Sequence, residues 1–382
     1  MLELLENIDK NFIEKCFKSF DEIELLKNTN KFVVAVSGGI DSLSLTIIAG
    51  LWAKKNNKKI IALTVDHKLR PTSTDEATYV NNLLEKYSIE HHTLTWNDVK
   101  PTSNIENIAR EARYNLIFDF CRENNISSIL LGHHIQDQAE NFLIRLFRGS
   151  GISGLSSMQK ISTRNGFYLI RPFLNLKKEE LKEFLLKANI NWIEDESNSD
   201  EKYLRNKIRA FLNSFEEKDN IVKRINSTID ILQTADEIIE NQVNSLENSV
   251  YIYNQEYNYY TLKLYEFLKL NKEVQYRILT KITKNITKNT QNSRFSKIER
   301  LINNLEFLKK YTFYGCIFEK INTDEFVCYR EYNSIKDKTK YLKRGELKSY
   351  LKFLKENDYS KYKKIKDFKG YKKEILYTIP IK

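Results

Sequence analysis

Glycine and proline are scarce, and they are scarce in one place. Neither occurs from Leu212 to Tyr311, while eight of the eleven glycines and three of the four prolines precede residue 173. A stretch without helix breakers or forced turns points to helices, so the texture of the chain changes near 212. Cysteine is equally sparse. Cys16, Cys121, Cys316 and Cys328 are far apart and form no CxxC. That excludes a disulfide framework and a zinc or iron–sulfur site of ordinary spacing, and leaves them as small core residues. No apolar run reaches membrane length, and the acidic, amphipathic start MLELLENIDKNF is not a signal peptide. A soluble cytoplasmic protein is expected. Two nucleotide signatures are also missing: neither GxxxxGK[ST] nor GxGxxG occurs.

What is present is ample core material. In 382 residues, 41% are hydrophobic and 12% aromatic, enough for two or three domains and too much for a disordered chain. The net charge of +11 is unevenly placed. Residues 331–382 carry 16 Lys+Arg against 7 Asp+Glu, which is +9 and leaves +2 for the other 330 residues. Seven tyrosines are interleaved with those lysines, a mixture suited to phosphate contacts with some stacking, or to a plain solvated surface.

The chain is organised around KFVVAVSGGIDSLSLTIIAGL, residues 31–51. Phe32 to Val36 reads as a buried parallel strand, Ser37-Gly38-Gly39-Ile40-Asp41-Ser42 as a small-residue turn, and Leu43 onward as an apolar helix. Strand, turn and helix N-terminus make an anion cradle of free N–H groups, with Ser37 and Ser42 adding hydroxyls. Asp41 suits such a place when a cation such as Mg²⁺ bridges it to phosphates.

Further strands are expected at Lys59–Val65, Ser88–Leu94, Ser128–Gly132 and Tyr168–Ile170, with helices at Thr72–Tyr87, Asn104–Arg122 and Gln136–Phe147. The 104–122 helix carries apolar positions Ile105, Ala109, Ala112, Leu116 and Phe120 and a capping box of Ser103 and Glu106. Such alternation predicts an α/β fold with a doubly wound parallel sheet, in which ligands gather beyond the carboxyl ends of the strands. Asp66-His67 and His133-His134 both fall at such ends, beside the phosphate turn. Ile225, Ile229, Leu232, Ala235, Ile239, Val243 and Leu246 then follow one helical stripe. A short strand pair is expected in Val250–Leu264, helices near 266–285 and 294–309, and a hairpin of Phe313–Phe318 with Phe326–Tyr329. The domains are placed at 1–215, 216–311 (helical) and 312–382 (small, basic, α+β).

The second informative stretch is GHHIQDQAEN, residues 132–141. On a helix Asp137 and Glu140 are i and i+3 and share a face. Two carboxylates looking into a nucleotide crevice can hold Mg²⁺, accept an ammonium or serve as a base, and on an ordinary surface helix they do none of these.

SGGxDS resembles the PP-loop of the ATP pyrophosphatase family, which holds β,γ-phosphates and releases pyrophosphate. By chance its five fixed residues arise in a chain this long about once in ten thousand sequences. SGGIDS, DHKLRPTSTDEA, REARY, GHHIQDQAENFLIRLFRGSGISGL, RPFL, WIEDESN and YLRNKIR occur in that order. The set is similar to the tRNA(Ile)-lysidine synthase family over most of 31–210, and later residues agree in general plan only. The resemblance implies that ATP and free L-lysine convert the wobble cytidine of a CAU-anticodon tRNA(Ile) to lysidine through an adenylated base. It implies that Ser37, Gly38, Gly39, Ile40, Asp41 and Ser42 bind ATP phosphates, with Asp41 contacting Mg²⁺. Asp66, His67 and Arg70 would line the nucleotide site. Arg110 and Arg113 on one helix face, and Arg205 and Arg209 on another, would contact phosphate or tRNA. His133, Asp137 and Glu140 would form the catalytic and lysine-binding crevice. A homodimer is left open.

There are departures from the family pattern. Gln136 stands where an aspartate is usual, Asn141 where threonine is, and Lys68 where glycine is. With one carboxylate fewer, Asp137 is expected to carry the role of base. Other readings are a tRNA thiolase acting on a pyrimidine C2, which needs paired cysteines that this chain lacks, an amidating synthetase with the same loop, and a non-catalytic tRNA-binding protein with a relic nucleotide site.

Overall fold

The computed structural model describes residues 9–98, 103, 105–194, 204–288, 295–307, 309–335, 341, 347–357 and 375. Two compact units divide between Asp236 and Glu237.

The first unit begins with helices α1 (Lys10–Asp21) and α2 (Glu24–Lys27). Its sheet is built from β1 (Lys31–Ala35), β2 (Lys59–Asp66), β3 (Glu90–Thr95), β4 (Ser128–Leu130), β5 (Ile161–Arg164) and β6 (Phe167–Ile170). The order is β3-β2-β1-β4-β6-β5, parallel except for the antiparallel β5–β6 pair. Strand order therefore reverses between β1 and β4, the point at which an open parallel sheet opens a crevice past its carboxyl ends. The crossings are α3 (Ile40–Lys55), α4 (Ser73–Lys86), α5 (Ile105–Glu123), and α6 (Ile135–Phe147) with the short α7 (Ile152–Leu155). Helices α8 (Lys178–Lys187) and α9 (Leu204–Asn213) follow, and α10 (Lys218–Ser245) starts in this unit.

The run LSLTIIAGLWA is apolar all round, and α3 is correspondingly buried from Ser42 to Ala53. It packs among Phe20, Phe32 and Phe173, with Phe20 stacked on Trp52 at 5.2 Å. On the opposite sheet face α5 covers β1, β2 and β4 through Tyr114, Ile117, Phe118 and Cys121. The stripe expected on α5 is thus rotated: Ile105 is exposed and Leu116 half-buried, because the tyrosine and cysteine positions face the sheet. The capping box at Ser103 and Glu106 lies outside the described side chains. The edge strand β3 is polar and largely exposed, as one-sided cover allows. Strand β5 and helix α8 lie where the sequence reading placed no element.

The second unit adds β7 (Tyr251–Asn254), β8 (Tyr259–Lys263), β9 (Lys310–Phe313), β10 (Cys316–Lys320) and β11 (Glu325–Arg330). They form one antiparallel sheet, β7-β8-β11-β10-β9. Its helices are α11 (Leu264–Leu268), α12 (Lys272–Thr287), α13 (Phe295–Asn304) and α14 (Leu347–Asn357). Alternation sends Phe318, Phe326 and Cys328 toward α12 and α13, and Ile317, Val327 and Tyr329 to the other face, with Tyr350, Leu351 and Ile375. The sequence drew a boundary at 311; β9 runs across it, and residues on both sides share this sheet. The strand expected at Phe313–Phe318 contains a turn instead, at Tyr314 (φ 46) and Gly315 (φ 75), because two successive positive φ values are what a tight hairpin needs. The stripe on α10 is oriented as expected, with Ile229 and Val243 fully buried and Ile231 and Ile238 exposed. Most of 331–382, including Ile379 and Pro380, lies outside the described residues. All four cysteines are buried and free.

Candidate active site

The turn after β1 is held by its own hydroxyls. Ser42 Oγ donates to Gly39 O (3.1 Å) and accepts the Ser37 N–H (3.1 Å), and the two serine hydroxyls stand 3.2 Å apart. Gly38 sits at φ +86, and a Cβ there would meet Ile193 Cδ1 at 2.4 Å. Its carbonyl accepts the Ile193 N–H at 2.9 Å, so the start of the WIEDESN segment lies over the loop; residues 195–203 of that segment and of the next lie outside the described residues. Gly132, at the end of β4, is pressed on the same loop: a Cβ would stand 2.9 Å from the Asp41 carbonyl oxygen.

Past Gly132, α6 brings Gln136, Asp137 and Glu140 inward, all buried. Asp137 Oδ2 accepts the His134 N–H at 3.0 Å. Helix α9 lies along α6 through Ile208 and Leu212 on Ala139, and supplies two arginines. Arg205 donates through Nη2 to Asp137 Oδ1 (2.6 Å) and through Nε to Glu140 Oε2 (2.7 Å). Arg209 donates to both Glu140 oxygens, at 2.8 and 3.2 Å. His134, which the sequence reading named only as one of a pair, joins the two halves of the site. Its Nε2 is 3.6 Å from Asp41 Oδ1 and 3.4 Å from Asp137 Oδ2.

Burial opposes charge on Asp137, but His134, then Arg205 and His133, outweigh it and hold the carboxyl at about 2. Burial lowers His134 as well, yet Asp137 and Asp41 carry it above its ordinary value. For His133 burial outweighs the nearby Asp137 charge and, with Arg171, Arg110 and Arg205 adding to it, takes the imidazole down to about 4, neutral at pH 7. Its Nδ1 and the Oδ1 of Asp41 are buried without hydrogen-bond partners among the described residues.

The other expected residues are spread around this centre. Burial works against the charge of Asp66, but hydrogen bonds from Ser73, the Lys68 N–H and Thr74 hold it below the usual range. Those bonds (2.7, 2.9 and 2.9 Å) show that this carboxylate shapes its own loop. Lys68, in a left-handed conformation (φ 49), occupies the position where glycine is usual in the pattern. Arg113 Nε donates to His67 Nε2 at 3.2 Å. Arg70 pairs with Glu76 on the surface, and Arg110 lies over the Tyr114 ring, 5.4 Å from its centroid. The structure thus links Asp41 to Asp137 through His134, and Asp137 to Glu140 through Arg205, with Arg209 on Glu140. Arg70 keeps a surface pair of its own, and Arg110 lies near enough to His133 to disfavour its charged form. Lys178 on α8, not foreseen, reaches the loop from the side, with Nζ 3.8 Å from Asp41 Oδ2. The amphipathic run KKEELKEFLLK was the signal that could have placed it. Among the described residues no group of three or more His, Cys, Asp or Glu could hold a metal ion. Cys16 and Cys121 are buried thiols pushed up by burial, Cys121 to about 12, the opposite of an activated sulfur carrier.

A serine–glycine turn between strand and helix, at the reversal of a parallel sheet, defines the class as a PP-loop protein, and residues 6–215 match the family described as PP-loop domain. A curated tRNA(Ile)-lysidine synthase of Orientia tsutsugamushi (strain Boryong) is 34% identical over 360 residues, covering 90% of this chain and 78% of that protein. One of Rickettsia prowazekii (strain Madrid E) is 35% identical over 319 residues, covering 82% and 72%. The chain belongs to the tRNA(Ile)-lysidine synthase family. A solved structure, the U34-tRNA thiolase NcsA from Methanococcus maripaludis with its 4Fe–4S cluster, is 17% identical, covers 58% of this chain and 81% of that one, and has a TM-score of 0.49.

Proposed function

We propose that this protein, working in the cytoplasm, ligates L-lysine to C2 of the wobble cytidine of a CAU-anticodon tRNA(Ile), at the expense of ATP. A pyrimidine C2 carbonyl is a poor electrophile with a poor leaving group. In the first step its oxygen attacks the α-phosphorus, a P–O bond forms, and the bond to the β-phosphate breaks to release pyrophosphate. The ε-amine of lysine then attacks C2, AMP leaves with the former carbonyl oxygen, and the amine gives up a proton.

Ser37 to Ser42 would cradle the phosphates. Asp41 Oδ1, a buried oxygen that has His134 Nε2 at 3.6 Å but no hydrogen bond among the described residues, fits one carboxylate ligand of a Mg²⁺ whose other ligands would be phosphate and water. That ion would supply charge neutralisation of the leaving pyrophosphate. Asp137 and Glu140 would receive the lysine amine. The observation that carries this reading is that Asp137 is joined to the PP-loop through His134, and that Asp137 and its neighbour Glu140 are both occupied by arginines. A carboxyl held at about 2 is a weak proton acceptor. Transfer of Arg205 from Asp137 to a tRNA phosphate would remove one of the charges that hold it there. The carboxylate would then be free for the incoming ammonium and better able to take its proton. Binding of tRNA would thereby prepare the lysine site.

Incubation with labelled lysine, ATP and tRNA(Ile) transcript tests this. Label should enter the CAU transcript and not one whose wobble base is changed to uridine; equal labelling of both, or of neither, rejects the reading.

A further inference from the structure

Gln136 is 7% exposed and uses both ends of its amide on α8. Its Oε1 accepts the N–H of Lys178 at 3.1 Å, and its Nε2 donates to Glu179 Oε2 at 2.7 Å. The first N–H groups of a helix have no acceptor within it, and Gln136 provides one. Glu180 fixes the same end by accepting the Lys177 N–H at 2.9 Å. With its backbone so fastened, Lys178 extends toward Asp41, the second residue of α3.

The pair is half-exposed, at 39% and 28% for the two side chains, so it contributes little to stability. Its position matters more. From Phe32 to Ala53 the loop and its helix contain no lysine or arginine. Apart from the His134 imidazole beside Asp41, hydroxyls and N–H groups would face a triphosphate of about four negative charges. Among the described residues, Lys178 is the lysine or arginine with an ion pair to this loop.

We propose that Lys178 contacts the β- or γ-phosphate of bound ATP and that Gln136 is the positioning residue that sets it there. An aspartate at 136 is shorter, cannot donate to Glu179, and would face it with like charge. The glutamine that departs from the family pattern thus trades a carboxylate in the crevice for a fixed cation at the phosphates. This rests on the nucleotide reading of the loop and not on the identity of the tRNA base.

The test is calorimetric titration of the intact chain with α,β-methylene-ATP and, separately, AMP, each with Mg²⁺ and without tRNA or lysine. Lys178→Ala should weaken the triphosphate by about tenfold or more and AMP by less than about twofold, since AMP lacks the contacted phosphates. Lys178→Arg should restore most of the loss. Gln136→Leu and Gln136→Asp should weaken the triphosphate selectively, and add little in the Lys178→Ala background. Equal loss for both nucleotides, unchanged triphosphate binding, or a wild type that does not prefer triphosphate to AMP overturns the proposal. A wild type with that preference that fails to incorporate lysine rejects the lysidine reading alone.

Discussion

Arg205 Nη2 stands 2.6 Å from Asp137 Oδ1, so the carboxylate that faces the PP-loop is neutralised by a helix that follows it by more than sixty residues. Asp137→Asn should keep the shape and lose the charge. Lysine transfer should fall by at least about a hundredfold while the Kd for tRNA changes by less than about threefold. Single-turnover kinetics with a parallel filter-binding titration separate the two; normal turnover would move the role to Glu140.

Gly132 packs directly on the backbone of the loop at Asp41 and Ser42. Gly132→Ala puts a methyl 2.9 Å from the Asp41 carbonyl, where neither partner is a flexible side chain. The variant should lose about 1–3 kcal/mol of stability and about tenfold in ATP affinity. Urea unfolding and nucleotide titration read these. A stable variant with wild-type affinity would mean the loop can shift freely.

His133 gives a pH dependence of fixed sign. Its pKa falls from 6.5 to about 4 on folding, so the unfolded chain binds the proton more readily. The stability this neutral imidazole contributes is complete above pH 6.5 and is lost as pH falls toward 4, by at most about 3 kcal/mol. Unfolding midpoints of His133→Asn should therefore fall less steeply than those of wild type over that window. Parallel slopes would show that the imidazole is not buried neutral.

The basic C-terminal region is better probed by charge than by truncation, because Leu354 and Ile375 are buried there and deletion would uncover an apolar core. Lys352 and Lys355 are exposed on α14. If they touch tRNA phosphate, each alanine substitution should reduce the log–log salt slope of tRNA binding by about 0.9 or less. An unchanged slope in the double variant assigns that face to solvent.

Much of this was legible in the residues. The β1–turn–α3 unit is announced by its small residues and apolar flanks, and the i, i+3 spacing put Asp137 and Glu140 on one face. What stayed hidden depends on distant partners. The spacing of Arg205 and Arg209 on YLRNKIR cannot say that they close on carboxylates rather than on nucleic acid. Nothing local in Gln136 reveals that its amide reaches across to α8. The aromatic run 251–263 could not disclose its pairing with β11, because that ladder joins residues more than sixty positions apart. On α5, periodicity alone favoured Ile105 over Tyr114 and Cys121, whose burial is decided by the sheet beneath them.

The central claim is that this PP-loop splits ATP at the α–β bond to activate a nucleobase. The direct measurement follows α-labelled ATP during single-turnover reaction with lysine and tRNA(Ile). One AMP and one pyrophosphate should appear per lysine incorporated, and neither without tRNA. Formation of ADP and orthophosphate, or AMP release that does not depend on tRNA, would contradict it.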